Sequence, residues 1–209
     1  MWPDSNETQE LLKDAGNGDA AAVDALMDRH RDSLRQMVQM RMDRAVAQRV
    51  DASDVVQDVL FEASRRLENY IRDAKMPFHL WLRQLTKDRM IDMHRRHRGA
   101  QRRSVDREQP LAAPAFGDHS SIDLAAQLRD QELTPAAASI RKELERRFLT
   151  ALDDLNDDDR DIILMRHFEH LSNSEVAQAL NMSAAAAGMR YLRALRRLRG
   201  ILGDSPSLG

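Results

Sequence analysis

The sequence contains no cysteine, so disulfides, thiolate metal sites and cysteine nucleophiles are all excluded. Aromatic residues are scarce at 4%. Alanine, leucine, methionine and arginine, all strong helix formers, are abundant instead, and an all-helical chain is the natural expectation. No stretch approaches the roughly 18 to 20 consecutive apolar residues of a membrane span, so no membrane insertion is expected. The start, Met1-Trp2-Pro3-Asp4-Ser5-Asn6-Glu7, is polar and acidic and does not read as a secretory leader. With 42% hydrophobic and 32% charged residues over 209 positions, the chain has the make-up of a globular protein of one domain or two small ones, expected in the cytoplasm.

The formal net charge is only −2, but the charge is unevenly spread. Between Arg83 and Arg103 the cations are Arg83, Lys87, Arg89, Arg95, Arg96, Arg98, Arg102 and Arg103, against Asp88 and Asp92. A second basic run holds Arg190, Arg193, Arg196, Arg197 and Arg199 with no acid among them. Two basic segments in a near-neutral chain point to two contacts with a polyanion, or, more simply, to two solvated helix faces.

Hydrophobic periodicity divides the chain. Val23, Leu26, Met27, Leu34, Met37 and Val38 recur at helical spacing between Asp19 and Met42. A further helix is predicted after Ser53 as its N-cap, with Val56, Val59, Leu60, Ala63, Leu67 and Tyr70 on one stripe. On that wheel Asp54, Asp58, Phe61 and Arg65 point the other way, and an outward phenylalanine beside carboxylates hints at a partner surface. Asn69 to Pro77 reads as a helix end and a loop. The next helix opens with Phe78, Trp81, Leu82 and Leu85 on one face and becomes polar all round, with Arg83, Lys87, Arg95 and Arg98 on its other faces. From Ser104 the pattern is broken by Pro110, Pro114, Gly117 and Pro135, an acidic linker in which Ile122 to Leu133 can hold a short helix. Order is expected to return near Ile140, with a stripe of Ile140, Leu144, Phe148, Leu152 and Leu155. The expected architecture is therefore all-α: two small helical domains, residues 8–103 and 139–203, joined by a linker over 104–138.

The most specific local pattern is Leu171-Ser172-Asn173-Ser174-Glu175-Val176-Ala177-Gln178-Ala179-Leu180-Asn181-Met182-Ser183. Ser172 and Glu175 have capping-box spacing. Val176 and Leu180 supply an apolar face, and Ala177 is small where two helices must cross. Asn181 stands at the turn, where a left-handed backbone is needed, and Ser183 caps a second, arginine-rich helix. This is the order of a helix-turn-helix; an ordinary helical hairpin is the plainer reading.

Two stretches resemble the sigma-70 family, and within it the extracytoplasmic-function group. One comprises Asp54-Val55-Val56-Gln57-Asp58-Val59-Leu60-Phe61, then Phe78-His79-Leu80-Trp81-Leu82, then Asp88-Arg89-Met90-Ile91-Asp92-Met93-His94-Arg95-Arg96. The other is Leu155 to Leu198, with Arg160 in its lead-in helix. The resemblance implies a factor that binds core RNA polymerase, directs it to promoter DNA and aids strand opening without catalysing any reaction. It implies polymerase docking by Asp54, Gln57, Asp58 and Phe61, and minus-ten recognition by Asn69, Tyr70, Trp81, Arg89, Asp92, Arg95, Arg96 and Arg98. It assigns minus-thirty-five recognition to Ser183, Ala184, Ala185, Gly188, Met189, Arg190, Arg193 and Arg197. An anti-sigma protein is a further partner the family implies, and the free chain is expected to be a monomer.

In one place the chain departs from the family. Many relatives begin the recognition helix with Gly-Thr-Val and a basic residue, whereas here stand Ala185-Ala186-Ala187-Gly188. Readout at minus thirty-five is therefore expected to be weak or to run through phosphates and shape, with Arg190 and Arg193 carrying most of the affinity.

Other chemistry finds little footing. There is no phosphate-binding glycine loop. His94 with His97 and His167 with His170 have a spacing suited to a metal but lack a third ligand, so no metal or other cofactor is expected. The acids Asp153 to Asp159 lack calcium-loop spacing and suit a helix start, where the dipole favours negative charge. The competing reading is a helix-turn-helix regulator that does not join the polymerase. It leaves Trp81 at the head of a basic helix and the Gln57-Asp58 surface unexplained.

Overall fold

Three aspartates start the first three helices of the described residues. Asp4, Asp19 and Asp51 each accept a backbone N–H from the first turn of α1 (Ser5–Gly16), α2 (Ala20–Arg41) and α3 (Ala52–Arg72), satisfying donors that have no partner inside the helix. The cap of α3 is thus Asp51 rather than Ser53. Ser53 instead donates its backbone N–H to Asp51 at 2.7 Å, a bond that holds the Asp51 carboxyl below its ordinary range. The computed structural model describes residues 2–42, 50–104 and 135–204, and within 97–104, 135–142, 145 and 204 the backbone alone. Among them all regular structure is helical, and the chain divides into two units, residues 1–111 and 112–209.

In the first unit α2 packs on α1, α3 and α4 (Phe78–Ser104). The stripes expected on α2 and α3 are its core, in which Leu26, Leu34, Val38, Val56, Val59, Ala63 and Leu67 are all buried. Helix α1, which no apolar run announces, is held by buried Thr8 and Leu12 and by an ion pair from Glu7 to Arg29. The unit reaches back to Trp2, whose ring lies 6.1 Å from His30 and 5.7 Å from His79.

Helix α4 departs most from its wheel. Its first turns touch both α2 and α3, so Phe78, Leu80, Leu82, Arg83 and Thr86 are all buried. Arg83, read above as part of the exposed basic segment, is only 2% exposed and is withdrawn from any polyanion. Thr86 satisfies its hydroxyl on the Leu82 carbonyl at 2.8 Å.

In the second unit α5 (Pro135–Asp153) begins at Pro135, earlier than the apolar stripe implied. Proline ends an apolar pattern but suits the first position of a helix, where its missing N–H is no loss. Leu144 of the expected stripe is 60% exposed, while Leu152 and Leu155 are buried; Ile140 and the linker residues 105–134, including Ile122 to Leu133, lie outside the described residues or side chains. Asn156 caps α6 (Asp157–His167), whose first turn carries Asp157, Asp158 and Asp159, as the dipole argument expected. The core is Ile162, Ile163, Leu164 and Met165 of α6 with Leu171, Val176, Ala187, Ala194 and Leu198.

Candidate nucleic-acid interfaces

The outward face of α3 carries Asp54, Gln57, Asp58 and Phe61, all exposed. Phe61 is 65% exposed, and the Arg65 guanidinium stands 5.8 Å from its ring centroid. Asp58 forms an ion pair with Arg89 of α4, so a residue of the expected polymerase set and one of the expected minus-ten set hold each other across two helices. Around this pair runs a cleft of about 330 Å³ lined by Val50, Asp54, Val55, Asp58, Arg89, Met93 and Arg96. Arg89 and Arg96 therefore share the α3 side of α4. Ile91 and Arg95 are exposed, and Arg95 reaches Asp92 at 3.4 Å. Arg98 lies outside the residues whose side chains are described.

In the last turns of α3 Asn69 is exposed, but Tyr70 is not placed as a residue facing a DNA strand would be. It is buried, its hydroxyl donates to the Met76 carbonyl at 2.9 Å, and its ring lies 4.7 Å from half-buried Trp81 and 5.3 Å from Phe78. Burial pushes the phenol above its ordinary pKa, which keeps it a neutral donor. Tyr70 thus holds the loop 73–77 and braces Trp81 rather than offering a free ring.

The helix-turn-helix is α7 (Asn173–Ala179) and α8 (Ala184–Asp204). Both halves of the Ser172–Glu175 capping box are present. Asn181 takes φ +51°, and the turn closes as a Schellman motif, with the Met182 N–H on the Ala177 carbonyl at 2.9 Å and the Asn181 N–H on that of Gln178 at 3.2 Å. Ser183 Oγ accepts the Ala186 N–H at 3.2 Å and opens α8. The Tyr191 hydroxyl meets His167 Nε2 at 2.7 Å, tying α8 to α6. His167, weighed above as a metal ligand, is thereby engaged, and no metal-binding group of three occurs among the described residues.

The cations of α8 fall into two classes. Arg190 and Arg197, seven residues apart, share the face that buries Ala187, Ala194 and Leu198, and pair with Asp158 and Asp159 at the head of α6. Asp159 is itself buried and also accepts from Asn156 Nδ2 at 2.8 Å. Arg193, Arg196 and Arg199 lie exposed on other faces. These acids were legible as a helix start but not as partners of α8, because Asp158 and Arg190 meet only when α6 and α8 cross.

Gly188, where many relatives carry a basic residue, has room for a side chain: a Cβ there would meet Asn173 at 3.7 Å, an ordinary contact. Gly188→Ala is expected to stabilise the second unit by up to about 1 kcal/mol through helix propensity alone. Thermal unfolding followed by circular dichroism would show it, and a lower midpoint would contradict the open space at this position.

The family model for sigma-70 region 2 matches residues 26–100, and that for sigma-70 region 4 matches residues 145–198. The chain belongs to the sigma-70 family. This sigma factor is 25% identical over 186 residues to the ECF RNA polymerase sigma-E factor of Haemophilus influenzae, spanning 89% of this chain and 90% of that one. It is 28% identical over 207 residues to the RNA polymerase sigma factor NccH of Alcaligenes xylosoxydans xylosoxydans, spanning 97% and 98%. Its fold matches that of CnrH in complex with the cytosolic domain of CnrY, with a TM-score of 0.60, 22% identity and coverage of 97% of this chain and 100% of that one. It also matches the sigma factor RpoE in complex with the anti-sigma factor NepR from Bartonella quintana, with a TM-score of 0.53, 17% identity and coverage of 84% and 93%. The relatives place this sigma factor in the extracytoplasmic-function group, whose members are initiation factors and not enzymes. The region 2 match takes in the whole α3 face and the start of α4, which a stand-alone regulator does not explain. Among the described residues no helix is long and apolar enough to cross a membrane.

Proposed function

We propose that this sigma factor docks on core RNA polymerase through Asp54, Gln57, Asp58 and Phe61 of α3. Phe61, 65% exposed beside carboxylates on the outward face of α3, carries this reading. Minus-ten DNA is contacted by Asn69, Trp81, Arg89, Asp92, Arg95, Arg96 and Arg98, with Tyr70 as the brace beneath Trp81. A melted strand is held by aromatic and apolar surface together with cations that follow phosphates, a combination this loop and helix supply. The minus-thirty-five duplex lies against α8 at Ser183, Ala184, Ala185, Gly188, Met189 and Arg193, while Arg190 and Arg197 are held by Asp158 and Asp159 at the head of α6. The working domains are residues 8–103 and 139–203 with 104–138 as the linker, and the protein acts in the cytoplasm as a monomer until it meets the polymerase. CnrH was solved with the cytosolic domain of CnrY and RpoE with the anti-sigma factor NepR, and an anti-sigma protein that covers α3 would silence this chain by keeping it off the polymerase. Gel filtration of the chain with bacterial core polymerase tests the proposal: co-elution supports it, and separate elution at low salt with duplex binding intact refutes it.

Neutralising phosphates releases counterions, so DNA binding should be steeply salt dependent. With six to ten phosphates engaged, affinity is expected to fall about 10³- to 10⁵-fold between 50 and 200 mM salt. Arg193→Ala should reduce the slope of log K against log salt by about 0.9. Arg197→Ala should change the slope less and chiefly lower the stability of the second unit, because Asp159 is then buried without its cation. Titrations of both variants against salt check this, and equal slope changes would show that Arg197 leaves Asp159 for the DNA.

A further inference from the structure

The first two turns of α8 present a face without hydrogen-bonding side chains. Ala184, Ala185 and Ala186 are exposed there, followed by Met189 at 55% and Leu192 at 46% exposure. The polar groups that flank this face are already engaged: Ser183 Oγ caps Ala186, Asn173 Nδ2 donates to the Ala184 carbonyl at 2.8 Å, and Arg190 pairs with Asp158. Arg193 and Arg196, exposed and one to two turns further along, make no ion pair among the described residues, and no acid occurs between Ser183 and Arg199. An apolar head followed by free cations, on the second helix of a helix-turn-helix, is complementary to a polyanion that carries apolar groups in a groove. In the major groove of duplex DNA the only such group is the C5-methyl of thymine.

We infer that this helix selects its minus-thirty-five element by thymine C5-methyl groups, with Met189 and Ala185 as the reading surface and Arg193 and Arg196 on the flanking phosphates. The inference rests on the assignment of α8 to duplex DNA made above. The long, unbranched methionine side chain adapts to methyls at neighbouring steps. A bidentate hydrogen-bonded contact to a base edge discriminates more sharply than this. Burying one methyl is worth about a 4-fold change in affinity, so selectivity should be graded over several thymines rather than absolute at one base pair.

The test uses holoenzyme reconstituted from the full chain and core polymerase. A duplex pool randomised over the minus-thirty-five region yields a preferred sequence, which is resynthesised with single thymines replaced by uracil, and separately by cytosine and by 5-methylcytosine, each paired with guanine. Uracil removes only the methyl and leaves every hydrogen-bonding group in place. The expected result is about 4-fold weaker binding for each contacted methyl lost, a gain with 5-methylcytosine over cytosine at the same steps, and a much smaller uracil effect in Met189→Ala. That substitution is at an exposed position and puts in a strong helix former, so the fold is kept. Indifference to uracil at every position, with Arg193→Ala still weakening binding, overturns the methyl reading and leaves α8 as the DNA helix. Indifference to uracil, Met189→Ala and Arg193→Ala alike removes α8 from the duplex and overturns both. Weaker binding of core polymerase by Met189→Ala, with no uracil effect, assigns the face to a protein partner and overturns the inference.

Discussion

Phe61→Ala is expected to weaken binding to core RNA polymerase by about 30- to 1000-fold, the range of a buried aromatic anchor at a protein interface. In the free chain this ring is 65% exposed, and the Arg65 guanidinium stands over it 5.8 Å away, a contact worth about 0.5 kcal/mol. The folded state therefore loses little on truncation, and the midpoint of unfolding should barely move. Binding behaves differently, because an aromatic side chain buries 150–250 Å² and dominates the energetics of interfaces it anchors. Asp58→Asn should cost less than Phe61→Ala. Asp58 already has a cation in Arg89, and a pair this exposed contributes little net free energy. A titration of labelled core polymerase with the wild-type chain and the two variants gives the comparison. Unchanged affinity in Phe61→Ala would remove the α3 face from the polymerase.

Acidification is expected to loosen the first unit well before the second. His30 of α2 sits at 1% exposure between α1 and α4, with Thr8 Oγ1 at 3.4 Å from Nε2 and the Phe78 ring at 5.1 Å. Burial foremost, then the nearby His79 and Arg29, lower its pKa from 6.5 to about 4. A histidine with a depressed folded pKa stays neutral in the core while the unfolded chain takes up a proton below pH 6.5. The stability it contributes is present above pH 6.5 and is lost as pH falls towards 4. A shift of this size corresponds to about 3 kcal/mol in full, of which roughly 2 should be gone by pH 5. For a unit of this size that is a fall of about 10 °C in the unfolding midpoint. Both tryptophans, Trp2 and Trp81, lie in this unit, so selectively excited tryptophan fluorescence reports it alone. His30→Gln should start less stable at pH 7.5 and show a flatter dependence between pH 7.5 and 5. An equally steep loss in that variant would place the acid sensitivity on another group.

His30 also shows how position and chemistry diverge in the sequence. Its place on the α2 stripe, between Met27 and Leu34, is that of a core residue, and periodicity alone reaches it. The same holds for the outward turn of Phe61 and for the helix-turn-helix, whose capping box, left-handed Asn181 and Ser183 cap are local features. Each depends on residues three or four apart, and such spacing is written in the chain.

Contacts between helices were not written there. Arg83 reads as one cation in a basic run, yet α4 meets two helices at once and encloses it. Tyr70 reads equally well as a base-facing ring, and only the approach of Trp81 and Met76 turns it into a brace. Arg190 and Arg197 looked like a uniform DNA-binding comb until the crossing of α6 and α8 paired them with Asp158 and Asp159. Sequence alone thus determined the family, the candidate surfaces and the helices that carry an apolar stripe, though not α1, because backbone hydrogen bonding and amphipathic periodicity act over short separations. Which charges on those surfaces remain available was decided by tertiary structure, because an ion pair forms only where packing brings two distant side chains within a few ångströms.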